Sequence, residues 1–130
     1  SQYSVENGRS ACTCMALTAA SQFLQDQRVT SEFLQHMITQ GVANYQRLST
    51  ASNVEHLSAE EVLQQDSGSQ LFHVQNLGIR QGILSANPHH PLGLESLLQI
   101  LREEERSEWM CVLMTKPPET VLLCFPPDTV

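Results

Sequence analysis

The fold class of this chain depends on residues 109–125, which read WMCVLMTKPPETVLLCF. Two apolar runs, 109–115 and 120–125, flank the polar and proline-rich residues 116–119, a composition typical of a tight connection between antiparallel strands. Because both runs are almost continuously apolar, we expect the hairpin to be buried on both faces. The sequence therefore predicts a small, mainly antiparallel sheet late in the chain.

Amphipathic helical patterns precede this hairpin. Apolar residues recur at the spacing of a buried helix face over about 11–25, after a suitable N-cap residue at Ser10. A second helix is predicted to begin at Thr30 or Ser31 and to end at Gly41, where a left-handed C-terminal residue is expected. Since both helices have one apolar face, we expect both to pack against other parts of the chain.

Two shorter helices are predicted next. Residues 42–50 are compatible with a short third helix. Ser58 and Glu61 have the spacing of a capping box, in which each side chain binds a free amide of the other residue, and this predicts a helix over 59–65.

The remaining elements complete an α+β order. Residues 70–75 predict a strand, and 79–84 predict either a second short strand or an extended loop. A helix is predicted over about 93–105, with leucines at 94, 97, 98 and 101 facing inward. Helices come first and a small sheet follows with one further helix packed on it, which is the α+β class rather than alternating βαβ.

Length and composition restrict the classes of function. A chain of 130 residues with 41% hydrophobic content fits one domain, 1–130, and its start without Met suggests a fragment of a longer protein. Its formal charge of −7 and scattered cations disfavour nucleic acid and anionic membranes as partners. No apolar run reaches the roughly 20 residues of a membrane span, so we expect no membrane insertion and a cytoplasmic or nuclear location, with all four cysteines as thiols.

Two cysteines lie at the start of the first predicted helix. Cys12 and Cys14 lie in its first turn, where the positive end of the helix dipole lowers the pKa of a thiol and favours the reactive thiolate. Asn7 and Gly8 predict a turn just before it, and the Asn7 amide could donate to an oxyanion. The structural alternative is that both cysteines simply fill a helix face.

Residues 6–17, ENGRSACTCMAL, resemble the nucleophile segment of papain-like cysteine peptidases. The resemblance is closest to deubiquitinating branches. One is the MINDY type, in which Asn-Gly shortly precedes the cysteine that opens the helix. The other is the herpesvirus large-tegument type, in which Gly and a basic residue precede a start similar to Cys-x-Cys.

The resemblance implies a helix that begins with the nucleophilic cysteine and packs against a later sheet. It also implies a histidine on that sheet as general base, oriented by an acidic or amide residue. Cys12 matches the nucleophile, Cys14 is the alternative nucleophile, and Asn7 matches the amide beside the oxyanion.

The chain departs from the family pattern at two points. Ala11 stands where the tegument-like pattern has Gln directly before the nucleophile. No histidine follows residue 90, so the general base is His73 on the predicted strand, or lies beyond residue 130, or is missing. His73 also fits a surface or hydrogen-bonded histidine without a catalytic role.

Cofactor and metal chemistry finds no support in the sequence. Zinc sites use pairs of ligands with two to four residues between them, whereas only one residue lies between Cys12 and Cys14. We therefore predict neither a cofactor nor a metal.

The preferred hypothesis is a degenerate papain-like module that binds a protein partner, such as ubiquitin or a ubiquitin-like protein. The alternative is an active deubiquitinase with Cys12 as its nucleophile.

Overall fold

The computed structural model describes residues 11–52, 58–64, 71–72, 74–83, 85–116 and 119–128. These residues form an α+β fold in which helices precede a two-stranded antiparallel sheet, as the sequence predicts. The helices are α1 (Cys12–Gln25), α2 (Ser31–Ser52), α3 (Ala59–Gln64) and α4 (Leu94–Glu103), and the strands are β1 (Met110–Lys116) and β2 (Glu119–Phe125).

The described residues fall into two compact units. The first contains those up to Val74 together with Cys111–Cys124, and the second contains those of Gln75–Met110 and the residues from Phe125 onward. No helix in the described part of the chain combines the length and the apolarity that crossing a membrane requires.

The core of the first unit is built from α1, α2 and α3. Their apolar faces meet in a cluster that also takes in Phe72, and Leu113 of β1 packs against it. Leu48, Val62 and Phe72 are the largest side chains that are fully buried there. Burial of this apolar surface is what stabilises helices of modest intrinsic propensity.

The helix α2 continues through Gly41, so the prediction that it ends there is wrong, and residues 42–50 belong to α2 rather than to a separate helix. The glycine has a packing role instead. A Cβ atom at position 41 would lie 2.5 Å from the Cα of Met15, because α1 crosses α2 at this point. Beyond it, Tyr45 and Leu48 continue the buried face.

Side-chain caps hold the starts of α2 and α3, as predicted. The hydroxyl oxygen of Thr30 accepts a hydrogen bond from the backbone N–H of Phe33 at 3.0 Å. The hydroxyl oxygen of Ser58 accepts one from the backbone N–H of Glu61 at 3.1 Å. Each cap satisfies an amide that has no partner within its own helix.

The prediction of a strand over 70–75 is wrong, because none of the described residues in this range lies in a strand. Phe72 is instead buried in the helical core. Over 79–84, Ile83 makes an isolated parallel bridge to Gly93, and the described residues before it belong to no strand. The apolar residues of the first segment therefore serve core packing rather than a hydrogen-bonded ladder.

The strands β1 and β2 form where the sequence predicts them, but the expected burial on both faces is wrong. Most residues of both strands are half-buried, and the side chain of Val121 is 50% exposed. A two-stranded sheet can bury one face against a core while the other faces solvent. The two strands are therefore more apolar than their partial burial would lead one to expect.

In the second unit, α4 forms as predicted but buries less than expected. Leu94 is 40% exposed, which corrects its inward placement, and the leucines at 97, 98 and 101 are half-buried. The extended segment before α4 passes close to it, since a Cβ at Gly82 would lie 2.6 Å from Cδ1 of Leu97. Arg80 forms a 2.8 Å ion pair with Glu104, just beyond the end of α4.

Arg106 organises the chain that follows α4. Its guanidinium donates to the backbone oxygens of Leu101 at 2.6 Å and Pro126 at 2.9 Å, and lies 5.4 Å from the ring centre of Phe125. The backbone N–H of Arg106 donates to the carboxylate of Asp128 at 2.9 Å. One cation thus joins the end of α4 to the segment after β2.

Candidate functional site

Cys12 is the first residue of α1 and is half-buried. The N-cap residue is Ala11 rather than the predicted Ser10, which lies outside the described residues, and no side chain caps the helix. The carbonyl oxygen of Ala11 accepts the hydrogen bond from the backbone N–H of Met15 at 2.8 Å. The Cys12 thiol therefore lies at a helix N-terminus, where the helix dipole favours negative charge.

Thr120 of β2 faces this thiol. The Cys12 Sγ and Thr120 Oγ1 atoms are 3.7 Å apart, and Thr115 Oγ1 lies 3.3 Å from Thr120 Oγ1 across the hairpin. The two ends of this contact are 108 residues apart in the chain. The start of α1 and the sheet of the first unit are thereby in direct contact.

Cys14 lies on the core side of α1 and is only 1% exposed. Burial, and secondarily the neighbouring Cys12, raises the pKa of the Cys14 thiol to about 12. A buried thiol loses the hydration that stabilises its ionised form. Cys14 consequently remains a neutral thiol at physiological pH and contributes to the core as a small apolar side chain.

Asn7 and His73, the other two predicted site residues, lie outside the described residues. Of the described histidines, His89 and His90 occupy the turn before α4. His90 Nδ1 accepts a hydrogen bond from the backbone N–H of Leu92 at 3.1 Å, and its carbonyl oxygen accepts one from Ser96 Oγ at 2.7 Å. These contacts give His90 a structural role in the second unit.

A polar groove between α1 and α2 was not anticipated from the sequence. Asn44 Nδ2 donates to Thr18 Oγ1 at 3.0 Å, and Gln40 Nε2 donates to Asn44 Oδ1 at 3.1 Å. The exposed His36 lines the same groove. Positions 36, 40 and 44 repeat at four-residue spacing, so the sequence did contain a helical stripe of polar residues.

A second pair of cysteines meets across the hairpin. Cys111 Sγ and Cys124 Sγ are 3.6 Å apart, and both side chains are half-buried. Burial, followed by the hydrogen bond and the charge of Cys124, raises the pKa of Cys111 to about 12. The sequence did not predict this pair, although Cys111 lies six residues before Pro117 and Cys124 lies six residues after Pro118.

The described residues contain no group of three or more His, Cys, Asp or Glu side chains arranged to bind a metal ion. All buried side-chain nitrogen and oxygen atoms in the described ranges have hydrogen-bond partners. The polar contacts inside the first unit are therefore satisfied within the protein.

Large aliphatic side chains are exposed in the second unit. Their exposed fractions range from 40% to 74%. They are Leu77, Ile79, Ile83, Leu92, Leu94 and Ile100. The Ile83–Gly93 bridge holds the extended segment that carries the first three beside the start of α4.

Comparison with protein-family models, curated proteins and solved structures finds no match for this chain.

Proposed function

We propose that this chain is a protein-interaction domain related to papain-like deubiquitinases, and that it binds ubiquitin or a ubiquitin-like protein without cleaving it. The observation that carries the binding function is the set of exposed aliphatic side chains of the second unit. Aliphatic groups exposed at 40% or more are available for burial by a partner. Exposed apolar side chains mark a site of protein association where they form one contiguous surface.

The geometry of the second unit supports a common surface for these side chains. Ile83 bridges to Gly93, and Gly82 lies against Leu97, so the extended segment runs beside α4. Leu77 and Ile79 have the largest exposed fractions of these residues, 74% and 59%. A partner that covers this segment would gain hydrophobic free energy of roughly 25 cal/mol for each Å² of apolar surface buried.

Charge favours a particular kind of partner surface. The chain carries a formal charge of −7, with 14 acidic residues against 7 Lys and Arg. Complementary charge accelerates association and suppresses wrong partners. A partner with an apolar contact patch bordered by basic side chains therefore fits best.

The contact between Cys12 and Thr120 supports two parts of this proposal. One is the relationship to the papain-like fold, and the other is the loss of catalysis. A helix that begins with a cysteine lies against a later sheet, as the resemblance implies. The sheet side chain at the thiol is a threonine, whereas the resemblance implies a histidine on the sheet as general base. A threonine hydroxyl does not accept a proton at neutral pH, so Thr120 does not replace the general base.

Titration of the ¹⁵N-labelled chain with ubiquitin and with ubiquitin-like proteins tests the binding function by NMR. We expect saturable shifts in the amides of 77–83 and 92–100. Leu77→Ser and Ile79→Ser should weaken binding, because each removes exposed apolar contact area. Val29→Ser is the matched control, since Val29 is 56% exposed but lies in the first unit. Absence of saturable shifts with every protein of the panel contradicts the proposal.

The second candidate function is an active cysteine deubiquitinase. It is favoured by the position of the half-buried Cys12 thiol at the N-terminus of α1. In this mechanism the Cys12 thiolate attacks the carbonyl of a glycine-ended isopeptide, and the general base is His73 or a histidine beyond residue 130. Ubiquitin bearing a C-terminal electrophile distinguishes the two functions. An adduct that Cys12→Ser abolishes and Cys14→Ser retains supports the enzyme, whereas no adduct with either this chain or a version extended past residue 130 supports the binding domain.

A further inference from the structure

We propose that Cys111 and Cys124 form a reversible intramolecular disulfide, which makes the β1–β2 hairpin a redox modification site. The two Sγ atoms are already 3.6 Å apart in the dithiol form. This pairing is independent of the function proposed above, because it involves neither Cys12 nor the second unit's exposed surface.

The register of the hairpin places the two cysteines directly opposite each other. The contact between Thr115 and Thr120 fixes a second pair of facing side chains, at 3.3 Å. Cys111 is four residues before Thr115, and Cys124 is four residues after Thr120. Since strand side chains alternate with a period of two, both pairs lie on the same face of the sheet.

Opposed residues of antiparallel strands are slightly farther apart than the residues of a disulfide. Their Cβ atoms are roughly 4.5–5.5 Å apart, whereas disulfides have Cβ atoms about 3.5–4.5 Å apart and an S–S bond of about 2.05 Å. Closing the bond from a 3.6 Å contact requires side-chain rotation and a small approach of the strands. Both cysteines are half-buried, so neither residue is fully shielded from solvent.

The other two thiols, Cys12 and Cys14, are poorly placed to form a disulfide. Cys12 and Cys14 are two residues apart on α1, so they point to different sides of the helix. Cys14 lies in the core at 1% exposure, and Cys12 Sγ lies against Thr120 Oγ1. The hairpin therefore holds the favoured pair of the described cysteines.

The oxidant is a small-molecule disulfide such as glutathione disulfide. Cys124 loses its proton, attacks an oxidant sulfur, forms a mixed disulfide and releases one glutathione. Cys111 then loses its proton, attacks the protein sulfur of that mixed disulfide and releases the other glutathione. The two protons of the protein thiols pass to the two released glutathiones, and two electrons move from the pair to the oxidant.

The bond would lock the part of the sheet that meets the start of α1. A two-stranded hairpin has little stability of its own. A cross-link between 111 and 124 would hold the strands in register through Thr120, which contacts Cys12. Oxidation is therefore expected to reduce fluctuations of the hairpin and to preserve the contact between Thr120 and Cys12.

Equilibration of the whole chain in glutathione buffers of graded redox ratio tests the proposal. Free thiols are alkylated under denaturing conditions, and the peptides are mapped by mass spectrometry. We expect one linked pair, Cys111 with Cys124, which appears with increasing glutathione disulfide and disappears with dithiothreitol. Cys12 and Cys14 should remain alkylatable. Cys111→Ser and Cys124→Ser should each abolish the linked pair.

The hairpin offers a matched control at its second facing pair. A variant with Thr115→Cys and Thr120→Cys, in the background of Cys111→Ser and Cys124→Ser, should cross-link in the same buffers. Cross-linking of this control without any link in the native pair overturns the proposal. So does failure of both pairs, which would contradict the register. A link from Cys111 or Cys124 to Cys12, or to a second chain, also overturns it.

Discussion

Gly41→Ala sets helix propensity against packing at the crossing of α1 and α2. Gly41 lies within α2, where alanine is favoured over glycine by about 1 kcal/mol in a helix interior. Propensity alone therefore predicts a more stable protein. Packing predicts the opposite, because the new Cβ would lie 2.5 Å from the Cα and 2.6 Å from the Cγ of Met15.

The steric cost should exceed the gain in propensity. The nearest atom is backbone, so rotation of the Met15 side chain does not relieve the clash, and the two helices must separate. Overpacking of this kind costs roughly 1–3 kcal/mol, and a backbone contact falls in the upper part of that range. After subtraction of about 1 kcal/mol for propensity, we expect a net loss of about 1–2 kcal/mol in the free energy of unfolding.

Urea denaturation followed by far-UV circular dichroism measures this change. For small proteins m in urea is about 1–3 kcal/mol/M, and with a value of about 2 kcal/mol/M the midpoint of Gly41→Ala should fall by roughly 0.5–1 M. Ala43→Gly is the control, since Ala43 is exposed on the same helix and should lose only the propensity term, about 1 kcal/mol. A midpoint for Gly41→Ala above that of the wild type would refute the close approach of the helices.

Three further predictions concern the first unit. Val62→Ala should cost about 1–3 kcal/mol in urea denaturation because Val62 is fully buried, while Val121→Ala at an exposed strand position should cost less. Asn44→Ala and Thr18→Val should each cost about 1–3 kcal/mol, and a double-mutant cycle should give a positive coupling energy. The contribution of Cys14 to the free energy of unfolding should not change with pH below about pH 8.5. Above that pH it should decline by about 1.4 kcal/mol per pH unit as pH rises toward 12.

The sign of the alkaline effect follows from the two states of Cys14. Its folded pKa is raised to about 12, whereas an unfolded cysteine ionises near 8.5. Between these values the unfolded chain releases a proton that the folded chain retains, so rising pH favours unfolding. Cys14→Ala should remove this part of the pH dependence in denaturation curves measured from pH 8 to 11. An unchanged slope would contradict the burial of the thiol.

Local chemistry made several elements predictable. Thr30 and Ser58 cap helices because their hydroxyls reach amides three residues ahead, a contact that lies within one helical turn. The apolar runs on either side of Pro117 and Pro118 specified the hairpin for a similar reason. In each case the partner groups are only a few residues apart in the sequence.

Residues that depend on distant partners were not predictable in the same way. Gly41 looked like a helix end, because the close approach of Met15 of α1 can be seen only after the helices have packed. Phe72 looked like part of a strand, but an apolar residue fits a helical core equally well. Composition specifies that such a residue is buried and does not specify against what.

The sequence by itself determined that a thiol stands at the start of α1 and that a hairpin follows late in the chain. The tertiary structure decided what meets these groups. It placed Thr120 against Cys12 across 108 residues of sequence, and it brought Cys111 within 3.6 Å of Cys124. The physical reason is that caps and turns depend on neighbours along the chain, whereas facing side chains depend on strand register and helix packing.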